Sequence, residues 1–133
     1  MAQKCEGNEF RQSPHAGTWY PGNEKELTGM IAGFLESAGT GVSGDIYGLI
    51  APHAGYVYSG PVAAHAYNTV RSMEFDDVIV IGPSHRQAFR GASVDTLAGR
   101  VTPLGKIDYD VELAKRLIAS DKNIDYVPQA HAV

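Results

Sequence analysis

The sequence holds one cysteine, Cys5, so no disulfide can form within its 133 residues, and a reducing compartment suits it. Long apolar runs are missing too. Val78-Ile79-Val80-Ile81 is among the longest strongly apolar stretches, far short of the roughly 20 residues a membrane helix needs. The N-terminal Met-Ala-Gln-Lys-Cys-Glu-Gly lacks the apolar core of a signal peptide. These absences predict a cytoplasmic protein with no membrane partner. No cluster of Lys and Arg occurs, and the net charge is −4, which argues against a nucleic-acid partner. The common nucleophile and phosphate signatures are absent as well: there is no Gly-x-Ser-x-Gly, no Gly-x-x-x-x-Gly-Lys-Ser/Thr, and no Gly-x-Gly-x-x-Gly opening a helix.

What is present is an ordinary globular composition, 44% hydrophobic and 20% charged, in a chain with room for one domain. Residues 1–10 are polar and predict a flexible N-terminus; residues 11–133 carry the fold. Arg11 to Gly22 is rich in Pro, Gly and aromatics and predicts an ordered loop. Asn23, with Glu26 three residues on, predicts a capped helix. Its apolar face is Leu27, Met30, Ile31, Phe34, Leu35 and Ala38, and Gly39 and Gly41 end it. Ile46–Ala51 and Val78–Ile81 are apolar throughout, as buried parallel strands are. Between them a helix is expected near 60–71, capped by Ser59 or Gly60, with Pro61 in its first turn and Val62, Ala63, Ala66, Tyr67 and Val70 inward. Ala92–Ala98 and Arg100–Leu104 predict a strand pair turning at Gly99. Asp108 or Asp110 caps a last helix bearing Val111, Leu113, Ala114, Leu117 and Ile118. The residues after it suggest no closing element, so the sheet is expected to be incomplete. The fold class is α/β: a largely parallel sheet flanked by helices.

Ligands bind beyond the carboxyl ends of strands in an open α/β sheet. His53 lies two residues past Ala51, and His85 four past Ile81. Neighbouring parallel strands are about 4.8 Å apart, so both imidazoles can serve one metal ion or anionic ligand. Neutral imidazole binds iron, copper, zinc and nickel. Tyr56, Tyr58, Ser59 and Ser84 can donate hydrogen bonds nearby, and Gly55, Gly60 and Gly82 let backbone approach a ligand. The amides around Gly60 to Val62 are expected to open a helix, where anions are favoured. His15 and Trp19, in the aromatic loop, are further candidates for the pocket. His65 fits a structural role, and the Arg86–Arg90 pair a solvated loop.

Three motifs in this order carry a resemblance: His-Ala-Gly-Thr-Trp-Tyr-Pro (15–21), Ala-Pro-His-Ala-Gly-Tyr-Val-Tyr-Ser-Gly (51–60) and Ile-Gly-Pro-Ser-His (81–85). With Thr-Pro-Leu-Gly (102–105), they resemble the Memo family, named for a mediator of ErbB2-driven cell motility. The resemblance runs from about residue 11 to the end. It implies a fold similar to class III extradiol dioxygenases, which hold non-haem Fe(II) with two histidines and a carboxylate. It implies His53 and His85 as metal ligands and Trp19 as a pocket aromatic. The implied cofactor is a divalent metal ion, iron or copper before zinc. Two functions follow. One is a metal-dependent oxidoreductase of dioxygenase type. The other is a non-catalytic module that binds metal ions, a small molecule or phosphotyrosine-type peptides. The family's later residues add ligands not found here, so the chain is expected to be an N-terminal fragment, inactive alone, whose missing half completes the sheet.

Overall fold

Asn23 starts the first helix as its sequence predicts. In a computed structural model, which describes residues 9–39 and 42–131, its side chain accepts the Glu26 amide at 3.0 Å and opens α1 (Glu24–Ser37). Leu27 is buried, and Met30, Ile31, Phe34, Leu35 and Ala38 are half-buried, while Glu24, Lys25 and Glu36 face out. The apolar face is therefore the expected one. The helix ends at Ser37, ahead of Gly39; Gly41 lies outside the described residues.

Helix α2 (Tyr56–Val70) begins earlier than expected. Its N-cap is Gly55, with no side-chain cap, and Pro61 lies inside it. Val62 and Tyr67 are 63% and 56% exposed, against expectation; Ala63, Ala66 and Val70 turn inward as expected, together with Ser59, Gly60 and Ala64. The reason is close packing of α2 on α1. A Cβ at Gly60 would overlap the Phe34 ring. The Asn68 amide donates to the Gly39 carbonyl at 3.1 Å, satisfying an acceptor just past the end of α1. Gly60 and Ala64 thus turn inward, while Val62 and Tyr67 point away.

The remaining elements are β1 (Phe10–Gln12), β2 (Ala92–Ser93), β3 (Gly99–Thr102), β4 (Gly105–Asp108), α3 (Val111–Ser120), β5 (Ile124–Asp125) and α4 (Pro128–His131). One sheet has the order β1-β3-β4, and a second pairs β2 with β5. The β1–β3 and β2–β5 pairs are parallel. Thr102 and Gly105 are joined by Pro103 and Leu104 alone, which is short enough only for an antiparallel hairpin. Gly99 starts β3 instead of forming the turn, because its bare backbone lies against the Ile107 carbonyl, where no Cβ would fit. Asp110 caps α3 as expected, accepting the Leu113 amide at 2.7 Å. Phe10–Gln12 is a strand where a loose segment was expected, since β3 supplies its backbone partners. The segment after α3 is likewise ordered, by β5 pairing with β2.

The α/β class therefore holds, but its expected central strands do not. Neither 46–51 nor 77–82 forms a strand. Tyr47 and Ile50 are 95% and 101% exposed, and Val80 and Ile81 88% and 91%. A parallel strand exists only where a neighbour receives its backbone hydrogen bonds. Among the described residues, no strand pairing supplies one to either run.

The described residues form two units. One comprises 15–76 with 103–105; the other comprises 9–14, 77–102 and 106–131.

Candidate functional site

Within the first unit, the segment 15–22 folds into a tight loop. Gly17 takes φ +81, a conformation that favours glycine, and its amide donates to the Tyr20 carbonyl at 2.8 Å. The His15 carbonyl accepts the Thr18 and Trp19 amides at 3.1 and 2.9 Å and the Thr18 hydroxyl at 3.0 Å. The loop docks on the start of α2. The Tyr56 amide donates to the Trp19 carbonyl at 2.8 Å, and Gly55 lies directly against the Trp19 backbone. The His15 and Trp19 rings are 4.7 Å apart, and those of Tyr20 and Tyr56 are 5.1 Å apart. Trp19 is 46% exposed, so one side of its ring remains available.

His53 belongs to the short loop entering this junction and is exposed. The buried Ser59 hydroxyl donates to the Ala54 carbonyl at 2.7 Å, holding the backbone next to His53 to the first turn of α2. Ser59 is therefore a positioning residue for the loop. Tyr56 has its phenol pKa raised, first by burial and then by the neighbouring Tyr20 and Tyr67. It stays protonated and can donate a hydrogen bond.

Two expectations need correction. Gly60 does not open backbone to a ligand; it admits the Phe34 ring. The amides of Gly60 to Val62 do not start a helix either. The helix begins at Tyr56, whose amide is taken by Trp19, while those of Tyr58 and Ser59 go to the Gly55 carbonyl. The anion-binding amides expected there are engaged within the fold.

Ser84 and His85 belong to the other unit. Both are exposed, and the Ser84 hydroxyl donates to the Gln87 carbonyl at 2.7 Å. His15, Trp19, Tyr56, Ser59 and His53 are thus brought into one neighbourhood in their own unit, while Ser84 and His85 are in a segment described separately. Among the described residues, no three His, Cys, Asp or Glu side chains group as a metal site.

The junction of the loop at 15–21 with the motif at 51–60 is where the sequence resemblance lies, and comparison with known proteins decides its meaning. The Memo-like protein pattern matches residues 11–132. The chain belongs to the Memo-like family. It is 37% identical to the "Protein memo-1 homolog" of Caenorhabditis elegans over 114 residues, covering 86% of this chain and 32% of the relative. A "MEMO1 family protein" of Nitrosopumilus maritimus is 37% identical over 128 residues, covering 92% of this chain and 46% of that protein. "Protein MEMO1" of Xenopus tropicalis is 36% identical over 107 residues, 80% of this chain and 34% of the relative. This Memo-like chain spans about a third to a half of the length of the curated relatives it matches.

A second cluster was not anticipated. It lies in the unit of β1, β3 and α4 and centres on Asp95. In-register pairing sets Arg11 of β1 beside Arg100 of β3, which places two like charges on one face. Asp95 stands between them: Arg11 Nη2 is 3.8 Å from one carboxylate oxygen and Arg100 Nη2 is 3.7 Å from the other. Arg11 also donates to the His131 carbonyl at 2.6 Å, and Arg100 to the Tyr109 hydroxyl at 2.8 Å. Nothing in the local spacing signals this cluster, because Arg11 and His131 stand at opposite ends of the sequence.

Proposed function

We propose that this chain supplies part of a Memo-like ligand cavity, with His53 and His85 as the imidazoles offered to a divalent metal ion. The observation that carries the reading is the docking of the aromatic loop on Gly55 and Tyr56, two and three residues beyond His53. That docking holds a half-exposed indole and a protonated phenol close in the chain to the segment that carries His53. Such a setting favours a ligand with a flat or aromatic part and a polar end.

The donor set tests the metal directly. A two-histidine, one-carboxylate iron site needs three protein ligands on one face. The described residues hold no such group, so they do not fit a complete iron or copper centre, and no redox step is assigned to them. A third ligand would come from residues that the longer relatives have and this chain does not. The same residues would complete a dioxygenase-like sheet over the apolar runs at 46–51 and 78–81. Exposing a side chain such as Ile50 or Val80 forfeits about 1.5–3 kcal/mol each relative to burial, so both runs favour a covering partner.

A calorimetric titration tests the reading. Fe(II), Cu(II) and Zn(II) are added to this chain, to a version extended to the relatives' length, and to His53→Ala/His85→Ala. Weak binding by the chain, tighter binding by the extended protein and none by the double variant are expected. Equal binding by the double variant would remove both histidines from the site. Metal-independent capture of a phosphotyrosine peptide would favour the non-catalytic reading instead.

A further inference from the structure

A row of three side chains, Ser93, His131 and Asp95, borders the arginine pair and plays no part in the metal reading. Ser93, at the end of β2, places its hydroxyl oxygen 2.7 Å from His131 Nε2. That oxygen also accepts the Val127 amide at 2.9 Å. On the far side of the imidazole, Nδ1 faces Asp95 Oδ2 at 3.9 Å. The Asp95 side chain is 10% exposed, and Oδ2 is buried with no hydrogen-bond partner among the described residues. The other carboxylate oxygen accepts the Leu97 amide at 3.4 Å.

These contacts decide the tautomer. A bare Nδ1 lone pair would face a buried carboxylate oxygen and be repelled by it. A proton on Nδ1 is attracted to it. The neutral imidazole therefore carries its proton on Nδ1 and leaves Nε2 as an acceptor. With Ser93 Oγ already accepting from Val127, its own proton points to Nε2. The order hydroxyl, imidazole, carboxylate is the one that activates a serine for acyl transfer, and such an arrangement is recognised by geometry and roles on any fold.

We propose that Ser93 is an activated nucleophile, with His131 as its base and Asp95 orienting His131, and that it accepts acyl groups from small activated esters. Ser93 Oγ forms a bond to the carbonyl carbon while its proton passes to His131 Nε2. The bond from that carbon to the leaving alkoxide or phenolate breaks, and the leaving group takes the electron pair and the proton held on His131 Nε2, departing as the alcohol or phenol and freeing the imidazole. Water then attacks the acyl-serine, giving a proton to His131, and the serine oxygen departs and recovers a proton from it. The sum is ester plus water to acid plus alcohol.

The groups facing His131 set its readiness. Burial lowers its pKa below the ordinary histidine value; Asp95 pulls it up, while Arg11 and Arg100 push it down. Tyr126 stacks on the ring at 6.0 Å. At neutral pH the imidazole is uncharged and able to take a proton. At 3.9 Å, Asp95 is beyond hydrogen-bond length and acts through its charge, which the two arginines dilute. The expected behaviour is acylation with slow release.

The test treats the 133-residue chain with p-nitrophenyl acetate and locates acetyl groups by peptide mass mapping, which separates Ser93 from the Cys5 thiol. Acetylation at residue 93 is expected, with a rate that rises with pH around a midpoint below 6.5. His131→Gln should slow it about a hundredfold, and Asp95→Asn about tenfold. Ser93→Ala loses the acceptor for the Val127 amide and can misfold, so Ser93→Cys, which keeps a nucleophile there, is the companion and should still be acetylated at 93. Acetyl groups only elsewhere on the wild-type chain, or an unchanged rate at Ser93 in His131→Gln, would overturn the proposal.

Discussion

The two units are held together by different physics. In the unit of α1 and α2, the contacts are steric and backbone-based. Phe34 fits over Gly60, Asn68 satisfies the Gly39 carbonyl, and the aromatic loop is tied to Tyr56 by one amide. Its chain is nearly continuous, from 15 to 76. In the unit of β1, β3 and α4, the contacts converge on charge. Arg11, Arg100 and His131 surround one carboxylate, with partners up to 120 residues apart. The first arrangement can form from contacts near in sequence, whereas the second must close a long loop before any of its interactions exist. One unit should therefore be sensitive to volume and the other to charge.

The largest expected effect tests the charged unit. Asp95→Ala leaves two arginines side by side with no counter-charge, and removing one partner of a buried ionic group costs about 3 kcal/mol. Chemical denaturation should show that loss, and hydrogen exchange should place it at the Val94 and Val127 amides, leaving Tyr56 protected. Loss of protection shared equally by both units would break the distinction. The reciprocal probe is Gly60→Leu. Its side chain meets the Phe34 ring; the overpacking, less the helix propensity gained over glycine, gives a net cost of about 2 kcal/mol. Here exchange should rise in α1 and α2. Pairing it with Phe34→Ala, which empties the space, should recover part of the loss.

A matched pair of smaller changes sharpens the comparison. Asn23 and Asp110 cap α1 and α3 through the same contact, a side-chain oxygen to the third helical amide. Alanine at either should cost about 1 kcal/mol. A markedly larger thermal shift for Asp110→Ala than for Asn23→Ala would mean that α3 supports the ionic cluster beyond its own cap.

Helices α1 and α3, one in each unit, were legible in sequence because their determinants are local. The caps at Asn23 and Asp110 are read from a side chain and an amide three residues away, and the faces of α1 and α3 from a 3.6-residue period. Helix α2 followed the same reasoning only in part, with Ala63, Ala66 and Val70 inward but Val62 and Tyr67 exposed. Its inward side is chosen by how closely α1 approaches, so Gly60 and Ala64 turn in while Val62 turns out. The runs at 46–51 and 78–81 have strand composition but no strand partner among the described residues, and composition says nothing about partners. The Asp95 cluster was illegible for a related reason. Its charges meet only once β1 pairs with β3 in register, and that pairing leaves no mark in either segment alone.

The smallest expected effect is a pH dependence confined to the charged unit. The folded pKa of His131 is lowered, mainly by burial. Between that folded value and 6.5, the unfolded chain carries a proton on this imidazole that the folded chain does not. Folding therefore releases a proton, and stability rises with pH across this window. The contribution of the neutral imidazole is fully present above 6.5 and is lost as pH falls through the folded value. Protonation would add an N–H donor at Nε2 against the proton of Ser93, so Ser93 would have to rotate while still accepting the Val127 amide. Acidification from pH 7.5 to 5.5 should thus lower the protection from exchange, corrected for the intrinsic pH dependence, at Val127 and Val94 more than at Tyr56. In His131→Gln, which cannot titrate, that difference should vanish. If the wild-type difference persists unchanged in His131→Gln, the acid response belongs to another group and the neutral imidazole is not what links Ser93 to Asp95.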